Sequence, residues 1–337
     1  MAGRGAMGAD AHRAAALRPA RRDALRTARF LGLSLAVAAV IALFATAVLA
    51  AESAKKPPVP PGADPGGVLV ALIGEGVDYI KPEIARRLAR DGEGEIIGWD
   101  FVDGDRRPYR ADVSAKGRFE ALCVEFCTQT RIANVILNVA SKARLVVLRT
   151  DIRASINGSH LDLAARAIGM AVQTGARVSL LDVQTGDQYF KLLSSAAKQF
   201  PEVLFVLSRT SDLDLPLKEW LSQPTGNIVV VRAFNLGCQT ESPDIAITEQ
   251  TYVDIAATVD CVPNGHHRNS WIESEPSEIA AAQVIGLAAR IAATEPKLTG
   301  AELKARIIAL AKPFPEGVKK VARYGWIEDP SAQYVGK

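Results

Sequence analysis

Side chains that commonly build catalytic and metal sites are scarce in this chain. Its 337 residues include four cysteines and four histidines, and the net charge is only +3. The histidines are His12, His160, His266 and His267, so there are few candidates for an imidazole general base. Beyond the first thirty residues no basic excess accumulates. Within them Arg4, Arg13, Arg18, Arg21, Arg22, Arg26 and Arg29 outnumber Asp10 and Asp23. The remainder is close to neutral, which argues against a nucleic-acid partner, because binding phosphate backbones takes a concentrated basic face. There is no internal repeat, no closely spaced CxxC pair and no sign of a cofactor. With 48% hydrophobic and 23% charged residues, wholesale disorder is excluded, and the length suits one large domain or two small ones.

Four regions follow from the composition: a basic segment 1–29, an apolar segment 30–51, a Pro/Gly-rich linker 52–67 and a domain 68–337. Residues 30–51, FLGLSLAVAAVIALFATAVLAA, carry no charge over a length that crosses a bilayer core at 1.5 Å per residue. Arginines precede the run and none interrupts it, so the amino terminus is expected to stay inside and the rest to be exported. Val48-Leu49-Ala50 before Ala51 also fits a signal-peptide cleavage site, so anchor and cleaved leader both stay open. Either way the expected localisation is outside the cytoplasm, tethered to the membrane or secreted. Pro57, Pro58, Pro60, Pro61 and Pro65 mark the linker as an extended tether.

The domain alternates strands with helices. Val68 to Ile73 is an uninterrupted apolar run that suits a strand buried on both faces, and Gly74-Glu75-Gly76 then turns toward a helix with Pro82 in its first turn. Further strands are predicted at 95–102, 143–149, 175–181, 203–208 and 227–232. Helices are predicted at 83–90, 161–174, 277–294 and 299–311. That alternation predicts an α/β fold: a mainly parallel sheet with helices on both faces. In such a sheet, the turn after the first strand lies at the carboxyl edge where ligands gather.

Ala71-Leu72-Ile73-Gly74-Glu75-Gly76-Val77-Asp78-Tyr79 resembles the first motif of the subtilisin-like serine peptidases, close to AVIDTGVDYTHPDL. The resemblance runs from about Val68 to Tyr334 and implies a three-layer subtilisin-like fold and, by family, serine endopeptidase chemistry. Its catalytic letters differ here. Gly74 stands where the family has its aspartate. Cys127-Thr128-Gln129-Thr130-Arg131-Ile132-Ala133 answers to the histidine motif and puts Thr128 at the histidine. Pro276 to Ala289 answers to the serine motif and puts Glu278 at the nucleophile, while keeping the small residues and Gly286 that allow close helix packing. Thr210 falls near the oxyanion-hole asparagine.

The resemblance therefore implies a pseudopeptidase: the cleft around Glu75, Asp78, Thr128, Thr210 and Glu278 would hold a peptide or protein partner without cutting it. A hydrolase with re-sited chemistry, using Glu278 or Asp78 as base, is the competing expectation. An α/β module unrelated to peptidases, with a different strand order, is another. Glu275 and Glu278 also have a plainer role, since negative charge in the first turn of a helix is stabilised by the helix dipole. Ser277 lacks a base to take its proton. His160 reads as a loop histidine. His266 and His267 also read as loop residues, with adventitious metal contact as the other reading. Outside the cytosol the even cysteine count favours disulfides, Cys238 with Cys261 and Cys123 with Cys127, over a zinc site. A cation cluster of Glu75, Asp78 and Glu278 is a further alternative to an ordinary solvated cluster.

Overall fold

The computed structural model describes residues 56–110, 128–150, 159–181, 187–208, 226–234, 253–259, 275–318 and 320–332. The compact domain begins at Pro57. Segment 30–51 lies outside the described residues, among which no helix is long and apolar enough to cross a membrane.

The apolar run leads directly to the architecture. β1 (Leu69–Gly74) is buried along its whole length, as befits a strand with a neighbour on each side and helices above and below. β3 (Arg144–Arg149) and β4 (Val178–Leu181) flank it in parallel, with Gly74 opposite Arg149 and Ile73 opposite Leu181. β2 (Trp99–Asp100), β5 (Leu204–Ser208), β6 (Ile228–Phe234), β7 (Ile255–Thr258) and β8 (Trp326–Ile327) complete one parallel sheet, ordered β2-β3-β1-β4-β5-β6-β7-β8.

Strand period two divides the core between the two faces. Val70, Leu72, Leu145, Val147, Val206 and Val231 face α2 (Thr128–Val139), α5 (Glu275–Thr294) and α6 (Gly300–Ala309). Leu69, Ala71, Ile73, Leu148 and Phe205 face α3 (Ser159–Gln173) and α4 (Asp187–Gln199). Each fully buried Leu, Ile or Val contributes about 1.5–3 kcal/mol of transfer free energy, so these layers dominate stability.

Among the segments assigned from the sequence, three depart from the expectation. The first helix, α1 (Pro82–Ala85), is one turn long. The chain beyond it leaves the helix to bridge Leu88 to Leu145 and Arg90 to Ile96, because backbone pairing at the sheet margin competes there with continued winding. Only Trp99–Asp100 of the expected strand 95–102 pairs with β3. Asp100 accepts hydrogen bonds from the Val102 and Asp103 N–H groups at 2.9 and 3.0 Å, and this local turn ends the strand.

The third departure is the proline-rich segment. It is extended from Pro57, as proline dictates, yet it is fastened to the domain. The Tyr79 hydroxyl donates to Pro57 O, Arg90 Nη2 to Pro60 O, and the Arg90 N–H to Asp64. Asp64 also pairs with Arg144, at 2.5 Å. Proline removes donors but leaves carbonyls, and the domain supplies arginine and tyrosine donors to meet them.

Candidate functional site

The carboxyl edge of the sheet is built around the turn that follows β1. Gly76 takes φ +91°, a conformation that side-chain-bearing residues rarely adopt, and a Cβ there would sit 2.8 Å from Pro108 O. The turn is held from two sides. Val77 N–H donates to Pro108 O at 3.1 Å. From the first turn of α2, Gln129 Oε1 accepts from Gly76 N–H at 2.5 Å and Thr130 Oγ1 from Asp78 N–H at 2.9 Å. The helix start and the strand end are thereby clasped together through two buried backbone donors.

Ion pairs surround the clasp. Arg149, the last residue of β3, donates to the fully buried Asp100 at 2.6 Å and to Asp103 at 2.8 Å. Burial alone would lower the guanidinium pKa, but these two carboxylates outweigh it and the net shift is upward. Arg110 pairs with Glu75 at 3.3 Å, and Arg107 with Asp105 at 3.7 Å. Burial raises the Asp78 carboxyl above its ordinary range, against the opposing Ile80 N–H and Lys81 charge. Tyr79 and Tyr109, with ring centroids 4.9 Å apart, are both raised by burial.

α5 brings its first turn to the same edge. The buried Ser277 hydroxyl accepts from Ala233 N–H, near the end of β6, at 3.3 Å. Glu278 follows it, partly buried and engaged with a partner. α2 and α5 run side by side, because a Cβ on Gly286 would stand only 2.5 Å from Val139 Cβ. Val139 lies as far along α2 as Gly286 lies along α5, so the two helix starts are level.

Of the residues singled out in the sequence, Gly74, Glu75, Asp78, Thr128 and Glu278 all fall on this edge: Gly74 ends β1, Thr128 opens α2 and Glu278 lies in the first turn of α5. Only the backbone of Thr128 is described. Thr210, Cys123, Cys127, Cys238, Cys261, His266 and His267 lie outside the described residues. His160 is helical, in the first turn of α3 and not in a loop, and its side chain is outside the description. Among the described residues no group of three or more His, Cys, Asp or Glu side chains is placed to hold a metal ion.

Gln129, Thr130, Asp100 and Arg149 were not singled out in the sequence. Gln129 and Thr130 sit beside Thr128 in the matched motif, which was the one available signal. The Asp100–Arg149 pair is separated by many residues, and only the adjacency of β2 and β3 brings it together. Chemically, the edge offers backbone and side-chain hydrogen bonds within a shell of ion pairs.

The order of the strands, all parallel, with helices on both faces and with α2 and α5 both starting at the carboxyl edge of the sheet, defines a subtilisin-like α/β fold. Among solved structures it is similar to a cold-adapted subtilisin-like serine proteinase, at 16% identity and TM-score 0.51, covering 80% of this chain and 91% of that one. It is also similar to the MycP3 protease from the type VII (ESX-3) secretion system, at 20% identity and TM-score 0.51, covering 82% and 90%. The A-subunit of the AB5 toxin from E. coli matches at 18% identity and TM-score 0.53, covering 79% and 91%. No protein-family profile matches the chain. No curated protein sequence matches it either. This fold likeness sets aside an unrelated α/β architecture.

Proposed function

We propose that this protein is a catalytically inactive, subtilisin-like domain that is exported, tethered through residues 30–51, and holds a peptide or protein segment in the cleft at the carboxyl edge of its sheet. The observation that carries the reading is the end of β1: where the resembling peptidases have an acid, Gly74 has no side chain. Two nearby acids are committed elsewhere, Asp100 to Arg149 and Glu75 to Arg110. Ser277 is likewise engaged, as acceptor for the Ala233 N–H. A hydroxyl without a base to take its proton is a poor nucleophile. What such an edge retains is shape and hydrogen-bonding capacity, which suffice for binding.

The test uses the full-length chain purified from membranes. It should neither cleave casein nor be labelled by a fluorophosphonate serine probe, and it should bind linear peptides at a single site and release them intact. Peptide turnover that disappears on Glu278→Gln would overturn the reading in favour of re-sited hydrolysis.

A further inference from the structure

A proline- and glycine-rich stretch ahead of a folded domain is an ordinary place for proteolytic nicking, unless its backbone is tied down. Residues 57–67 are tied along their whole length. The Tyr79 hydroxyl donates to Pro57 O at 2.8 Å, Arg90 Nη2 to Pro60 O at 2.6 Å, Arg87 Nη2 to Gly66 O at 3.3 Å and Arg144 Nε to Gly67 O at 3.0 Å. Asp64 accepts from the Arg90 N–H at 2.9 Å and from Arg144 Nη1 at 2.5 Å. Val59 packs against the larger core cluster.

The dependence runs both ways. Arg90 is 5% exposed, and its guanidinium pairs with no carboxylate among the described residues. It donates instead to two carbonyls, Gly94 O at 2.7 Å and Pro60 O, while its buried Nε has no acceptor. Burying such a cation is tolerable only while its N–H groups find acceptors, so the Pro60 carbonyl matters to the domain as much as Arg90 matters to the segment. The segment crosses Arg90 at Gly62, where a Cβ would stand 3.2 Å from Nε. At Gly67 the chain takes φ +100°, and a Cβ there would overlap Lys142 O, so only glycine fits the entry to β1.

We infer that Pro57 is the limit of proteolytic processing on the amino-terminal side of the domain. Whether residues 30–51 stay as an anchor or leave as a cleaved leader, residues 57–67 remain, and the chain departs from the domain beside Tyr79 and not at the start of β1. This goes beyond the peptide-binding reading and uses no part of it. A protease must draw an extended stretch of chain into its active site, so a cut within 57–67 requires these bonds to open first. Cleavage then follows the population of the opened state.

The test reads one bond, Ala63–Asp64, with elastase, whose pocket takes small side chains. Full-length protein and a synthetic peptide of residues 52–70 are digested side by side at neutral pH, and the fragments are followed by mass spectrometry. Cleavage of this bond should be at least about a hundredfold slower in the protein, because opening breaks several hydrogen bonds, most of them from arginine side chains. The amino terminus of the protein recovered from cells should lie at or before Pro57. Arg90→Met keeps an unbranched stem and removes the guanidinium donors; it should speed the cut at least about tenfold. A smaller difference between protein and peptide, or a recovered amino terminus beyond Pro57, overturns the inference. Resistance equal to wild type in folded Arg90→Met overturns the part assigned to Arg90. The wild-type comparison decides the matter even if that variant does not fold, and neither outcome bears on whether the cleft holds a peptide.

Discussion

Replacing Gly286 by alanine sets two effects of known size against each other at the contact that spaces the two site helices. In an exposed helix the change would stabilise by up to about 1 kcal/mol, because alanine is the better helix former. Here the new Cβ would lie 2.5 Å from Val139 Cβ, 2.9 Å from Val139 Cγ1 and 3.1 Å from Ile136 O. Carbon atoms pack best at about 3.5–4.0 Å, so α2 and α5 must separate by roughly 1 Å. Overpacking of this kind costs about 1–3 kcal/mol, and the closest obstacle is a Cβ fixed to the helix backbone, which cannot rotate away. The penalty should win by about 1–2 kcal/mol. At about 2–4 °C per kcal/mol for a domain of this size, the melting temperature should fall by about 2–8 °C. Urea unfolding followed by circular dichroism should show a lower midpoint with an unchanged slope. Adding Val139→Ala removes the Cγ1 clash but not the Cβ one, and should restore only part of the loss. Equal or greater stability in Gly286→Ala would refute the close crossing of the two helices.

Three other perturbations test separate parts of the structure. Lys304 is buried, pairs with Asp254 at 2.9 Å and donates to Ile228 O at 2.6 Å; Lys304→Met should cost about 3–5 kcal/mol, and combining it with Asp254→Asn should recover much of that in denaturant titrations. Thr130→Val leaves the Asp78 N–H without its acceptor in a nearly isosteric side chain; a loss of about 1–3 kcal/mol is expected, and no change in the unfolding midpoint would remove the clasp from the account. For the strap, Arg144 and the Arg90 N–H hold the Asp64 carboxyl below its usual pKa despite the cost of burial. A depressed acid stabilises above its unfolded pKa and loses that contribution as pH falls through the folded value. The protection of the amides in residues 57–67, with exchange rates corrected for their intrinsic pH dependence, should therefore fall on going from pH 5 to about pH 3, and Asp64→Asn should show the lower protection already at pH 7.

Much of the domain was legible in the sequence because burial on both faces leaves a strong mark. β1, β3, β5 and β6 each hold an unbroken apolar run of at least four residues, and the helices at 161–174, 277–294 and 299–311 differ from α3, α5 and α6 by a residue or two at most ends. β7 escaped notice because Ile255–Thr258 is only four residues long and half alanine, a residue depleted in strands. The shortening of the first helix was not readable locally, since it depends on bridges to Leu145 and Ile96. The site divides along the same line. The motif positions Gly74, Thr128 and Glu278 could be placed by their neighbours in the chain, whereas the Gln129 to Gly76 contact joins residues far apart in sequence.

By itself the amino-acid sequence determined which segments would be buried and in what order strand and helix would alternate, because hydrophobic periodicity is a local property. It also determined that position 74 carries no acid. Only the tertiary structure decided that the proline-rich segment is fastened from Pro57, that Arg149 neutralises Asp100, and that one end of the Gln129 amide is satisfied while the other is not. Those outcomes are set by distances between parts of the chain that meet only when the sheet is assembled, and no local pattern encodes them.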